Sequence, residues 1–167
     1  MFVKSGYEDK IYDYFGRIAA SVLEDIDYTI YIPQRNIYER KVGVRKKVTR
    51  KLFPGYVLIE TDRIIEFYYR TKNLPHIINL LRNNEDFLEI HTSDIEQITS
   101  MADDKGLIDI SNVLIIDDRI QVVQGPLLGK EGIIKKIDKR KGRAKVLFSL
   151  NKSDVLIDLG INLIQKQ

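Results

Sequence analysis

The 167-residue chain carries 27 Lys/Arg against 24 Asp/Glu, with 44% hydrophobic and 31% charged residues, a composition that excludes a disordered or fibrous protein and fits one ordinary domain or two small ones. It has no cysteine, which excludes disulfide staples and thiolate metal sites. With neither a signal peptide nor an apolar run near ~18 residues, no membrane span is expected, and the cytoplasm is the expected compartment. The net charge of +3 is unevenly spread. Residues 1–100 balance at 0, residues 101–118 carry −4 and residues 119–167 carry +7, so the last third has the charge of a polyanion-binding segment, although a solvated face is the usual fate of such a run.

In chain order, Phe2-Val3-Lys4 predicts a short strand. From Tyr7 to Leu23 the apolar residues Ile11, Tyr14, Phe15, Ile18 and Val22 recur at helical spacing, which predicts an amphipathic helix with one face on a sheet. Tyr28–Ile32 is β-branched and aromatic and stops at Pro33, the pattern of a strand. Between Asn36 and Thr49, Arg40, Lys41, Arg45, Lys46 and Lys47 surround Gly43; this predicts a hairpin with a basic tip, of the kind that keeps exposed edges soluble.

The run Arg50-Lys51-Leu52-Phe53-Pro54-Gly55-Tyr56-Val57-Leu58-Ile59-Glu60 follows. Pro fixes φ and Gly frees it, so the chain can bend sharply and still enter a strand, predicted over Lys51–Thr61. Taken alone, Phe53 and Tyr56 favour a strand entrance with two aromatics in a core over a docking site, because short motifs recur by chance. Ile64–Thr71 predicts a short helix bearing Phe67 and Tyr68, and Ile77-Ile78 a further strand. Ser93-Asp94-Ile95-Glu96 has capping-box spacing ahead of a helix reaching about Asp103. The acidic stretch 104–118 lacks a clean period and predicts a linker, although Ile108, Val113 and Ile115 have the character of packing residues.

From Arg119 onward, short β-branched runs alternate with turn residues: Ile120–Val123, Gly132–Ile137, Lys145–Leu150, Val155–Leu159 and Ile161–Ile164. Five such strands predict a small barrel. They include Asp118-Arg119-Ile120-Gln121-Val122-Val123-Gln124-Gly125-Pro126-Leu127-Leu128-Gly129-Lys130-Glu131-Gly132, with Gly125, Gly129 and Gly132 at turns.

Residues 50–58 resemble the R-K-L-F-P-G-Y-V-L signature of the N-terminal domain of NusG-family transcription elongation factors, and residues 118–132 resemble that family's KOW motif. Lys4-Ser5-Gly6-Tyr7-Glu8 is similar to the family's first strand-to-helix turn. The resemblance covers nearly the whole chain and reverses the order of readings for Phe53 and Tyr56. It implies an α+β fold: an N-terminal antiparallel sheet with helices (NGN-like) over 1–103, a linker over 104–118, and a small all-β SH3-like barrel (KOW) over 119–167. It further implies that Phe53, Pro54, Gly55 and Tyr56 dock on the clamp helices of the large RNA polymerase subunit. The basic tip (Arg40, Lys41, Arg45, Lys46, Lys47) would then contact DNA near the transcription bubble. The factor is expected to be monomeric and not membrane-bound.

No enzyme chemistry is expected. Gly125–Lys130 is one residue short of a phosphate loop, and Glu131 stands where Ser or Thr would bind magnesium; no nucleophile motif appears. His76 and His91 lie far apart without a ligand cluster, so neither metal nor cofactor is expected. Lys135, Lys136, Lys139, Arg140, Lys141, Arg143 and Lys145, by contrast, crowd a predicted turn over 138–142. Phosphate contacts from such a cluster would be sequence-independent and salt-sensitive, and with only Phe148 nearby for stacking, a nascent RNA hairpin or duplex is favoured over a single strand. The chain also departs from the general factor, which ends in a stretch of the form T-P-V-E-L-x-F-x-Q-V where Ser153–Ile164 stand here. With the basic cluster, that departure resembles the specialised LoaP antiterminators, which act on selected operons. The alternatives are a general elongation and pausing factor whose KOW domain binds proteins, and a ribosome-associated KOW protein.

Overall fold

The computed structural model describes residues 1–17, 19–83, 86–117 and 119–164. Ile18 of the expected first helix and Asp118 of the KOW-like run lie outside the described residues. The chain divides into two compact units, Met1–Ile32 with Phe53–Glu89 and Pro33–Leu52 with Ile90–Gln167. The hairpin and the last helix therefore fall in the unit that holds the C-terminal strands, a different division from 1–103 and 119–167.

In the first unit, the residues described in the predicted long helix are helical over Glu8–Arg17 and Ala19–Val22. Ile11 and Phe15, one turn apart, are buried, and the Phe15 ring stacks on Phe67 of helix Ile64–Thr71 with centroids 5.6 Å apart and planes 6° from parallel. Removing either ring would cost about 3–5 kcal/mol. Tyr28 meets Phe15 edge-on and donates its hydroxyl to the Phe15 carbonyl at 3.2 Å. Three short antiparallel pairs accompany the helices: Phe2–Val3 with Ile77–Asn79, Thr29–Tyr31 with Leu58–Glu60, and Arg82–Asn83 with Asp86–Phe87. The strand expected over Lys51–Thr61 is not continuous. Lys51 closes a hairpin strand, a turn takes residues 53–56, and apart from a single bridge at Tyr56 the next strand begins at Leu58, because proline and a left-handed glycine together cannot continue a ladder.

On the surface of this unit the Asp25 carboxylate accepts hydrogen bonds from Arg70 and Arg63, and Glu66 pairs with the same two arginines. The Arg70 guanidinium, in the main, holds the Asp25 carboxyl down at about 2. The folded value is lowered, so this pairing stabilises the fold above the ordinary value of 3.8 and is lost as pH falls toward about 2. Asp25→Asn is expected to melt below wild type at neutral pH, modestly because the network is exposed and screened. That gap in circular-dichroism melts should close between pH 4 and 2; a gap independent of pH would contradict the assignment.

The second unit opens with a hairpin. Gln34–Lys41 and Val44–Lys51 pair in register from Gln34↔Lys51 to Lys41↔Val44, closed by Val42 and Gly43 at φ 50° and 78°. Two positive φ values make the primed turn that suits strand twist; Gly43 adopts it freely and Val42 under strain. Leu107–Ile108 runs parallel to Gln34-Arg35. The predicted capping box is not made: helix Thr92–Thr99 starts after His91 without a side-chain cap. The Asp94 carboxylate instead accepts the Asn151 N–H at 2.8 Å. Gln97 completes the attachment, donating to the Leu147 carbonyl at 3.3 Å and accepting from the Ser149 N–H at 3.2 Å.

A curled five-stranded sheet follows, in the spatial order Arg119–Gln124, Ser111–Ile116, Ser153–Leu163, Arg143–Leu150, Ile134–Asp138. Ala144, Val146 and Phe148 alternate inward and are buried with Val113, Val122, Leu127, Leu159 and Ile161. The fold class is therefore α+β, as expected. Two expectations are corrected. The stretch 104–118, expected as a linker, supplies strands Leu107–Ile108 and Ser111–Ile116, because Ile108 and Val113 are buried core positions. The two expected strands 155–159 and 161–164 are one strand. Its first part pairs with Arg143–Leu150, and residues 161–163 pair in parallel with residues 111–113.

Candidate functional site

The Phe53–Tyr56 segment forms a tight turn in which the Phe53 carbonyl accepts the Tyr56 N–H at 3.1 Å. Pro54 occupies the second position and Gly55, at φ +83°, the third, the geometry of a type II turn. The turn is anchored on its inner side. The Gly55 N–H donates to the Glu8 carboxylate at 2.6 Å, and the Gly55 carbonyl accepts from Val3 at 2.9 Å. A side chain at Gly55 would press on the Phe2 ring at 3.3 Å. Tyr56 bridges Phe2 in the backbone, with ring centroids 5.3 Å apart, yet keeps 39% of its surface exposed. Pro54 is exposed and Phe53 half-buried.

Glu8 was not singled out by sequence reasoning as a functional residue. It is the first residue of helix Glu8–Arg17 and is buried, where the helix N-terminus favours a carboxylate. A carboxylate in the first turn of a helix was the legible signal; its partner 47 positions away was not.

In the second unit the two predicted basic clusters come together. Tyr38, Glu39, Arg40 and Arg45 of the hairpin and Arg140, Lys141 and Arg143 of the 138–143 turn line an open cleft of about 430 Å³. The Arg45 guanidinium lies 3.7 Å from the Tyr38 ring centroid, and Arg143 donates to the Tyr38 carbonyl at 3.4 Å. The turn is shaped by Asp138, whose carboxylate accepts the Lys141 N–H at 2.9 Å; that backbone donor chiefly holds the Asp138 carboxyl below its usual range.

Glycines allow the close approach. A Cβ on Gly142, at φ +64°, would meet the Arg45 guanidinium and, at 2.9 Å, the Ile161 carbonyl. A Cβ on Gly160 would meet the Asn36 carbonyl and lie 3.2 Å from the Ile37 Cα. Arg35 donates to the Asp158 carbonyl at 2.7 Å, and burial pushes its guanidinium pKa down.

The remaining predicted site residues do not line the cleft. Lys135, Lys136 and Lys139 are exposed; the first two are adjacent yet both outward because a bulge falls between Ile134 and Lys136. Lys145 pairs with Asp158 at 3.1 Å, and Lys47 with Asp109 at 2.6 Å. Lys41 and Lys46 are exposed on the hairpin. Among the described residues no group of three or more His, Cys, Asp or Glu could hold a metal, and no helix is long and apolar enough to cross a membrane.

A family model described as "Transcription termination factor nusG" matches residues 1–99, more than half of the chain. The chain belongs to the NusG family. The "Transcription termination/antitermination protein NusG" of Rickettsia felis is 28% identical over 170 residues, covering 97% of this chain and 85% of the relative. The protein of the same name from Bacillus subtilis is 25% identical over 169 residues, covering 97% and 93%. That of Buchnera aphidicola subsp. Acyrthosiphon pisum is 22% identical over 171 residues, covering 97% and 91%. All three are named as transcription factors rather than enzymes. In this NusG-family chain the KOW-like run is closely packed at Gly125, which, at φ +102°, lies against Ser111, whose buried hydroxyl accepts the Leu127 N–H at 3.0 Å.

Proposed function

We propose that the protein is a monomeric, cytoplasmic transcription elongation factor that docks on the clamp helices of the large RNA polymerase subunit through Phe53, Pro54, Gly55 and Tyr56. It promotes processive antitermination at selected operons, and its KOW domain binds a nascent RNA hairpin or duplex through Lys135, Lys136, Lys139, Arg140, Lys141, Arg143 and Lys145. The observation that carries the docking half is the turn itself: Gly55 is tied inward to Glu8 and Val3 while Pro54 and Tyr56 remain outside. A pre-ordered turn with an exposed aromatic supports an anchor, since little conformational freedom is given up on binding. The RNA half is supported by the +7 charge of residues 119–167. The basic hairpin tip (Arg40, Lys41, Arg45, Lys46, Lys47) contacts DNA near the transcription bubble, a reading supported by the exposure of Lys41 and Lys46.

The charge-reversed pair Arg140→Glu with Lys141→Glu tests the RNA half. Titrated against a leader hairpin at several salt concentrations, the variant should bind more weakly, and its log-affinity against log-salt slope should flatten by roughly 0.7 to 0.9 for each phosphate no longer neutralised. Polymerase docking should be unchanged. Equal slopes for wild type and variant would give the lead to a KOW domain that binds proteins, a reading favoured by the exposed apolar pair Val155 and Leu156.

A further inference from the structure

Arg40 and Arg45 of one basic cluster and Arg140, Lys141 and Arg143 of the other, 95 positions apart between Arg45 and Arg140, line one cleft. We infer that this cleft is a seat for one unpaired nucleotide of a polynucleotide, with its base and phosphate gripped together by the hairpin and the 138–143 turn. The inference rests on the nucleic-acid half of the reading above and specifies which part of the nucleic acid enters.

About 430 Å³ falls in the ~300–1,000 Å³ range of small-molecule clefts, whereas a duplex is so wide that one of its grooves alone can admit an α-helix. Arg40, Arg45, Arg140, Lys141 and Arg143 line the cleft, and the one carboxylate that lines it among the described residues, Glu39, is held by the Arg50 guanidinium fork at 2.7 and 3.0 Å. Arg40 and Arg45 stand directly opposite each other in the ladder, a like-charge pairing that destabilises a hairpin unless an anion sits beside it. Arg143 shares the Asp158 carboxylate with Lys145, at 3.5 and 3.1 Å.

The Tyr38 ring and the Arg45 guanidinium 3.7 Å from it are both at the cleft, and aromatic rings and guanidinium planes are the surfaces on which unpaired bases stack. Phosphate recognition alone would need the cations but not this plane.

The test uses the full chain and four probes: a blunt RNA duplex, the same duplex with one extrahelical uridine, and the DNA counterparts of both. Wild type is expected to bind the bulged RNA about tenfold more tightly than the blunt one, the scale of one stacked base. Tyr38→Leu and Arg40→Gln should each bring the two to equal affinity. Arg40 is exposed, so Arg40→Gln decides the matter even where circular dichroism shows Tyr38→Leu to be misfolded. The same preference in DNA would assign the seat to either polymer; its restriction to RNA would assign it through the 2′-hydroxyl. Equal binding of bulged and blunt duplexes by wild type, or a preference that survives Arg40→Gln, would overturn the seat alone. Failure of every duplex to bind would overturn the RNA reading and the seat with it.

Discussion

Tyr56→Ala should weaken polymerase binding by about thirtyfold, equivalent to ~2 kcal/mol, while leaving the fold intact. The side chain is 39% exposed, so its removal opens no closed cavity, and within the unit it chiefly deprives Phe2 of a tilted ring neighbour. The backbone of the turn should persist, because it is held by the Tyr56 N–H to Phe53 bond and by Gly55 on Glu8. Phe53→Ala provides a useful contrast. Phe53 is half-buried, so part of its cost falls on folding and should appear as a lowered melting temperature as well as a weaker complex. Affinity measured by surface plasmon resonance, with circular dichroism as the folding control, separates the two. A folded Tyr56→Ala protein with wild-type affinity would remove the anchor.

Gly125→Ala should destabilise the second unit by about 3 kcal/mol, through left-handed strain and overpacking together. At φ +102° an added Cβ would lie 2.8 Å from the Ser111 Cα and 3.0 Å from the Ile110 carbonyl oxygen, backbone atoms that cannot swing away. The other two glycines of the same run set the scale. Gly129 is left-handed at φ +73° but has open space around it, so its alanine variant should cost about 1 kcal/mol. Gly132 has neither constraint and should stay within ~0.5 kcal/mol. Urea melts of the three variants should rank 125, 129, 132 in decreasing cost. A neutral Gly125→Ala would show that the strand carrying Ser111 can move aside.

That ranking marks what could and could not be read from the residues alone. All three glycines were legible as turn residues, but only tertiary packing distinguishes the one wedged against Ser111. Helix Ile64–Thr71 was legible end to end because its apolar face and its boundaries coincide. The strand in 111–116 was hidden by the acidic residues around it, whereas Val113 faces the core and Ile115 is partly buried. Gly160 falls between the two strands that the residue pattern predicts, Val155–Leu159 and Ile161–Ile164. It is instead the point at which an unbroken strand passes close to the Asn36 backbone. The cleft was the least legible feature, since no local pattern says that a hairpin turn and a barrel turn will meet. The aromatic ring that lines the cleft, Tyr38, comes from the hairpin, far in sequence from the barrel cluster.

The proposed union of a polymerase anchor with an RNA-reading surface in one chain should show in single-round transcription through a terminator. Templates with and without an upstream leader hairpin are compared for wild type, Tyr56→Ala and the Arg140→Glu, Lys141→Glu pair. Wild type should raise readthrough chiefly on the hairpin template, Tyr56→Ala should lose the effect on both templates, and the charge-reversed pair should lose only the hairpin-dependent part. Readthrough that is the same with Tyr56→Ala as with wild type, or that ignores both the hairpin and the charge reversal, would contradict the proposed union.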